Sequence, residues 1–270
     1  MYRLLVTGAS GFIGSSVISS LQEVEGQESN SFEVSEWHVQ RDGSLLVERN
    51  RKMALDRYHP DIVLHLAWHP TGANEYEKSS QHVLWAEESL RFALECLQAG
   101  IWFICAGSAL DDMSDSLALT RGTQYSMSKS QLRNNILNLN HPGFVVTWLQ
   151  IQYVFSIRAK RPRLLHSLMT ADNIRSFRPN FPAQTNDFIE VSDVASAVQT
   201  VLLKGIRNFV AVGSGWAVSN QHFVEAAQFA LGATDIRPSI PKVDSNSSPK
   251  LLLANGWWPD ATSDFFGFIR

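Results

Sequence analysis

The chain has 270 residues, 44% of them hydrophobic, and carries 23 Lys and Arg against 26 Asp and Glu for a formal net charge of −3. That balance excludes a generally basic nucleic-acid surface and a polybasic grip on acidic membranes, and the length suits one large α/β domain or a nucleotide-binding core with a small lobe. The glycine-rich stretch starts almost at Met1, no apolar run is long enough to span a bilayer, and the two cysteines have no metal-ligand spacing. These features predict a protein without a secretory leader, in the reducing cytoplasm.

In chain order, Leu4 to Gly14 reads L-L-V-T-G-A-S-G-F-I-G and leads into Val17, Ile18 and Leu21. An apolar run, a glycine turn and an amphipathic segment predict strand, tight turn and helix. A dinucleotide diphosphate can rest on the positive end of such a helix if no Cβ blocks it. Gly8 then serves the turn, Gly11 leaves room for the diphosphate, and Gly14 allows close helix–strand packing. Glu23 to Ser35 reads as a polar surface loop, and Trp37 to Gln40 as a second strand. The residue at the end of that strand selects between NAD and NADP. Arg41 there favours NADP(H), although Asp42 follows at once; Ser10 is a second candidate phosphate contact.

Leu45 to Val47 reads as a short third strand, and Asn50 as the cap of a helix ending near Tyr58. Asp61 to Ala67, D-I-V-L-H-L-A, has the continuous apolar character of a parallel strand covered on both faces. His65 and His69 are four apart, which on a strand is roughly 13 Å, too far to share a metal ion. Ser80 to Gln98 is a long helical pattern stopped by Gly100, and Ile101 to Ala106 is the next buried strand. Asp111 to Gly122 is a polar loop; Thr123 to Leu139 is a helix with Tyr125 and Lys129 on one face. Phe144 to Tyr153 is another buried strand, followed by four cations, Arg158, Lys160, Arg161 and Arg163, and a helical pattern from Arg163 to Thr170. Ser192 would cap a helix running to Leu203, and Asn208 to Val212 would be the last sheet strand. A further helix, Asn220 to Leu231, precedes a tail in which Trp257 and Trp258 read as packing residues.

T-G-A-S-G-F-I-G with Tyr125-x-x-x-Lys129 resembles the extended short-chain dehydrogenase/reductase family of nucleotide-sugar epimerases, dehydratases and ketoreductases. D-I-V-L-H-L-A, C-A-G-S-A, N-D-F-I-E-V-S-D-V-A and L-L-L-A-N-G-W-W-P resemble further segments of that family. The resemblance implies a Rossmann-type doubly wound parallel sheet over residues 1–155. A small C-terminal substrate-binding lobe would occupy 156–270, with core elements returning at about 187–212. It implies a catalytic Ser108, Tyr125 and Lys129, and a cofactor held by Gly8, Ser10, Gly11, Phe12, Ile13, Gly14, Arg41, Leu66, Ala67, Trp68, Tyr125, Lys129 and Tyr153. Substrate would meet Ser108, His69 and Arg163, the last chosen as a cation inward-facing toward a nucleotide-sugar diphosphate. Gln150 in place of an arginine, Ser156 with Ile157 in place of Gly-Pro, and Asn186 and Glu190 depart from the family pattern.

For hydride transfer, charge growing on a carbonyl oxygen must be met by a proton, which Tyr125 would give with Lys129 as its cation and Ser108 as orienting donor. Dehydratases of the family carry an acid pair beside the catalytic Ser or Thr; Gly107-Ser108-Ala109 has none, although Asp111 and Asp112 follow. By elimination the expected activity is NADPH-dependent reduction of a nucleotide-linked 4-keto-6-deoxysugar. The alternatives are an NAD-linked nucleotide-sugar epimerase and a non-catalytic NAD(P) sensor or scaffold. The expected partners are a nucleotide sugar and a second copy of the chain through the helices at Ser80 to Gln98 and Thr123 to Leu139; no nucleic acid, membrane or metal is expected.

Overall fold

The computed structural model describes residues 1–23, 31–69, 78–111, 122–139, 145–156 and 174–268. In chain order the elements begin with β1 (Tyr2–Thr7), α1 (Phe12–Glu23), β2 (Phe32–Glu36), α2 (Val39–Asp42), α3 (Glu48–Tyr58) and β3 (Ile62–His65). Next come α4 (Gln81–Gln98), β4 (Trp102–Ala106), α5 (Gln124–Asn138), β5 (Val146–Ile151), β6 (Tyr153–Phe155) and β7 (Thr185–Glu190). The chain continues with α6 (Val191–Lys204), β8 (Asn208–Val212), β9 (Ala217–Ser219), α7 (Asn220–Ala230), α8 (Lys250–Ala254) and α9 (Asp260–Phe266).

Two compact units result, one of Met1–Gln150 with Gly205–Val210, the other of Ile151–Lys204 with Ala211–Arg270. The first is organised on a six-stranded sheet in the order β2-β1-β3-β4-β5-β8, parallel from β2 to β5. This is the expected Rossmann-type α/β arrangement. Leu4, Leu5, Val6, Val63, Leu64, Phe103, Ile104, Trp148 and Leu149 are at most 1% exposed. Covering both faces of the strands in this way contributes about 1.5–3 kcal/mol per large side chain. Cys96 and Cys105 are free thiols within the same core, and burial pushes Cys105 up to about 12. Arg51 of α3 is fully buried, donating to Glu88 and Glu95 of α4 and to the Leu45 carbonyl, so a charge network fastens one helix to the next.

Several expected boundaries move. The second strand is Phe32–Glu36, not Trp37 to Gln40. Trp37 continues only one backbone bond to Val6 before its side chain enters the core. Leu45 to Val47 is a turn rather than a strand, and α3 begins after Val47, so Asn50 lies inside it and donates to the Ser44 carbonyl. The strand expected to end at Tyr153 breaks at Gln152, whose amide goes to the Val212 carbonyl, and Tyr153–Phe155 joins a different sheet. The return to the first unit is Gly205–Val210.

The second unit carries the three-stranded sheet β6-β7-β9. Phe155, Phe188, Phe223, Phe265 and Phe266 form its core, with Phe188 and Phe223 stacked at 4.2 Å. Trp257 donates to Ser196 at 2.9 Å and Trp258 packs on Trp216, the packing roles expected of them. Two buried carboxylates pin loops here. Asp187 accepts from Ser214 and Gly215, and Asp193 from Ala261 and Thr262; burial pushes both up to about 6. Helix α6 starts one residue before Ser192, and its cap is Glu190, whose carboxylate accepts the Ser192 amide at 2.6 Å. The longer acidic side chain takes the capping role expected of the serine.

Candidate active site

The glycine turn between β1 and α1 is built without spare volume. Gly8 has φ +73°, and a Cβ there would stand 2.7 Å from the Ala67 amide nitrogen; one on Gly14 would stand 2.1 Å from the Gly8 carbonyl oxygen. Gly8 therefore lets the turn close on the residues after β3, and Gly14 lets α1 close on the turn. Ser10 and Gly11 face solvent, Phe12 and Ile13 open the helix, and its first turn has no acidic residue. An exposed glycine leading into a twelve-residue helix fits the diphosphate of a dinucleotide, because the first amides of a helix have no partners within it.

The end of β1 is tied to the end of β3 through one buried histidine. Thr7 Oγ1 accepts the Ala67 amide at 3.3 Å and is hydrogen-bonded to His65 Nδ1 at 2.8 Å, and His65 Nε2 is hydrogen-bonded to Ser89 Oγ at 2.9 Å. Burial lowers the imidazole to about 3, and it is neutral and structural. Because its folded value lies below the ordinary 6.5, the stability it contributes is complete above that pH and is lost as pH falls toward 3. Across that window the wild type should lose stability relative to His65→Gln at roughly 1.4 kcal/mol per pH unit, read from urea melts at several pH values. Parallel curves for the two proteins would contradict it. Among the described residues no group of three His, Cys, Asp or Glu side chains could hold a metal ion.

Following β3, Leu66 and Ala67 line the glycine turn, and Trp68 and His69 come next. Tyr125 and Lys129 reach this place from α5, whose start is fixed by a reciprocal cap between Thr123 and Ser126. Tyr125 is half-buried, its ring edge-to-face with Trp68 at 6.3 Å and with His82 at 5.2 Å. Lys129 is 4% exposed; its Nζ donates to the Ala106 carbonyl at 2.8 Å and lies 3.6 Å from the centroid of the Trp68 ring. Burial lowers this ammonium to about 8, against the fields of Cys105 and Asp111. His69 contacts Ser79 at 3.2 Å and the His82 ring.

Two residues beyond Ala106 stands Ser108. Its Oγ accepts the Leu110 amide at 3.2 Å, its own amide donates to Asp111 Oδ2 at 2.8 Å, and among the described residues its hydroxyl proton has no acceptor. Asp111 is fully buried and also receives Trp148 Nε1, Gln150 Nε2 and Arg133. Burial raises its pKa, opposed by the Ser108 amide. Gln150, a departure from the family pattern, thus serves this carboxylate, and the cation is supplied by Arg133 of α5. Gly107 has no room for a Cβ, which would lie 2.3 Å from Trp148 Nε1.

Arg41 does not end the second strand, as expected, but lies five residues beyond Glu36, in α2. Its guanidinium folds back to donate to the Glu36 carbonyl and to Asp42, and lies over the Tyr58 ring at 5.5 Å. The carboxylate at the strand end is Glu36, 3.5 Å from His38 Nε2. Asp42 is engaged by Arg41, Arg57, Tyr58 and the His38 amide. Tyr153 belongs to the second unit, where its ring packs on Phe188, and Arg163 lies outside the described residues together with Arg158, Lys160 and Arg161 and the helix expected to follow. Sequence reasoning passed over Asp111 as an anchor, and His82 and Glu36 altogether. A buried-strand position held by the large polar Gln150, two residues from Trp148, was the available signal for the first.

The sequence profile of the NAD dependent epimerase/dehydratase family matches residues 4–213, a span that contains the glycine turn, Ser108, Tyr125 and Lys129. The chain belongs to this family. Members of this family are NAD(P)-dependent enzymes of the extended short-chain dehydrogenase/reductase type. No curated protein sequence matches the chain significantly. Among solved structures, UDP-glucose 4-epimerase of Thermus thermophilus in complex with NAD is 20% identical, with a TM-score of 0.68 over 95% of this chain and 94% of that one. A dTDP-4-dehydrorhamnose reductase of Clostridium acetobutylicum is 14% identical, with a TM-score of 0.71 over 98% of each chain. UDP-glucose 4-epimerase of Thermotoga maritima with UDP-glucose is 17% identical, with a TM-score of 0.70 over 95% and 93%. These likenesses carry the fold. Among the described residues no helix is long and apolar enough to cross a membrane.

Proposed function

We propose that the chain reduces the carbonyl of a nucleotide-linked 4-keto-6-deoxysugar with NADPH. The observation that carries this reading is the convergence of Tyr125 and Lys129 on Trp68, directly after the strand end that closes on the glycine turn. Bound over that turn, the coenzyme would supply the hydride. Tyr125 gives the proton to the substrate oxygen, Lys129 stabilises the phenolate left behind, and Ser108 donates its hydroxyl proton to the same oxygen. The N-terminal position of Tyr125 in α5 adds the positive end of the helix to the Lys129 charge. Asp111 is spent on the loop that holds Ser108, which speaks against the acid pair a dehydratase needs.

NADPH is supported by Arg41, whose guanidinium returns to the tip of β2 and is half exposed there. An NAD-linked epimerase is the second reading, supported by the Glu36 carboxylate at the strand end, where it would accept ribose hydroxyls. Val83, Leu84 and Leu94 on α4 and Met127 on α5 are exposed, which supports pairing of two copies through these helices.

The test is coenzyme oxidation with a panel of UDP- and dTDP-linked 4-keto-6-deoxysugars. Reduction with NADPH preferred is expected, and Arg41→Ala should raise the KM for NADPH roughly 10- to 100-fold with little change for NADH. Protein that retains NAD and interconverts 4-epimers without net oxidation would overturn the reductase reading in favour of the epimerase. Failure of every substrate would leave the non-catalytic sensor.

A further inference from the structure

The ammonium of Lys129 is buried, yet among the described residues no acidic side chain pairs with it. It meets one carbonyl, that of Ala106 at 2.8 Å, and one aromatic face, that of Trp68 at 3.6 Å from the ring centroid. The indole is not free to turn. Its Nε1 donates to His82 Nδ1 at 3.0 Å with an angle of 13° between the two ring planes, and the fully buried His82 is anchored in α4. Tyr125 packs edge-to-face against both rings. One indole therefore touches the proton donor, its cation and the helix that braces them.

We propose that Trp68 is a positioning residue for the Tyr125–Lys129 pair, its π face holding the lysine in the charged form and aimed at the tyrosine. A desolvated ammonium over an indole gains more from the ring quadrupole than one in water, and this stabilises only the protonated state. The other groups facing Lys129 are Cys105 on β4, Asp111 after it and His65 at the end of β3. Cys105 is a buried neutral thiol, and His65 is neutral. Asp111 is committed to Ser108, Trp148, Gln150 and Arg133. Among the described residues the remaining nearby titratable groups are Tyr125 and, beyond Trp68, His69 and His82. This inference concerns the ammonium in the protein alone and uses the reductase reading only for its kinetic consequence.

The experiment is NMR titration of the chain carrying 13Cε-lysine, without coenzyme, the Lys129 signal being assigned by its loss in Lys129→Met. Lys129 should titrate near 8 in the wild type. Trp68→Leu should move that midpoint down by about one pH unit, and Trp68→Phe, which keeps a π face, should restore most of it. Incorporation of tryptophan with increasing ring fluorination keeps the shape while draining the quadrupole, so it covers the case in which Trp68→Leu does not fold; the midpoint should fall with each added fluorine. In turnover, the alkaline limb of the kcat/KM profile, which reports the free protein, should move in the same direction as the NMR midpoint. An unmoved Lys129 titration in folded Trp68→Leu, or across the fluorinated series, overturns the proposal. If the midpoint moves but no sugar is reduced, the role of Trp68 stands and the reductase reading falls.

Discussion

Tyr125→Phe is expected to lower turnover roughly 10²- to 10⁴-fold while leaving the fold and the binding of coenzyme intact. The ring makes the packing contacts with Trp68 and His82, and phenylalanine preserves them. Only the hydroxyl is lost, and with it the proton that meets the charge developing on the substrate oxygen. Water would have to replace it without the Lys129 ammonium beside it. Because the loss is confined to the transition state, kcat should fall and KM for the sugar should change little. Single-turnover reduction, with thermal melts and coenzyme titration as controls, decides the matter. Undiminished turnover in a folded Tyr125→Phe protein would remove the phenol from the chemistry altogether.

The second large effect is expected from a residue that need not touch substrate. Asp111→Asn is isosteric, yet every group facing the carboxylate is a donor: Trp148 Nε1 and the Ser108 amide on one oxygen, Gln150 Nε2 and Arg133 on the other. Turned one way, its NH₂ confronts the fixed N–H groups of Trp148 and Ser108; turned the other, it confronts the Arg133 guanidinium, and Gln150 must reverse its own amide to accept. The cost should be about 2–4 kcal/mol in unfolding free energy, read from denaturant melts. Activity should fall beyond what the population of folded protein explains, since the Ser108 amide loses its anchor. A variant as stable as wild type would show that the carboxylate is not the keystone of this loop.

The parts of the fold that were legible share one property, a local pattern strong enough to need no partner. The apolar runs of β1, β3 and β4, the glycine turn and the long face of α4 are of this kind. β2 was missed because it lies at the sheet edge, where Phe32 and Val34 alternate with polar residues and no continuous run forms. Trp37 then looked like strand because it is apolar, whereas it is a core side chain beyond the strand end. The shift of β2 is also what displaced Arg41 from the position assigned to it. In the candidate site, Tyr125 and Lys129 were marked by their spacing and Ser108 by the resemblance of C-A-G-S-A to a family segment. The contacts of Asp111 and His82 were not, because they join elements far apart in sequence, and Trp68 was marked only as a cofactor residue. Ser192 gave way to Glu190 for a simpler reason: two adjacent residues could both cap, and only geometry separates them.

Cys105 sits in the strand that delivers Ser108, sealed on both sides and with its thiol held far from ionisation. Such a sulfur is silent to alkylating reagents while the sheet is closed, since the thiolate is the reactive form. Its labelling is therefore a clock for excursions that open the centre of the sheet, ticking at the rate of that opening once the reagent outpaces reclosing, and indifferent to fluctuations of surface loops.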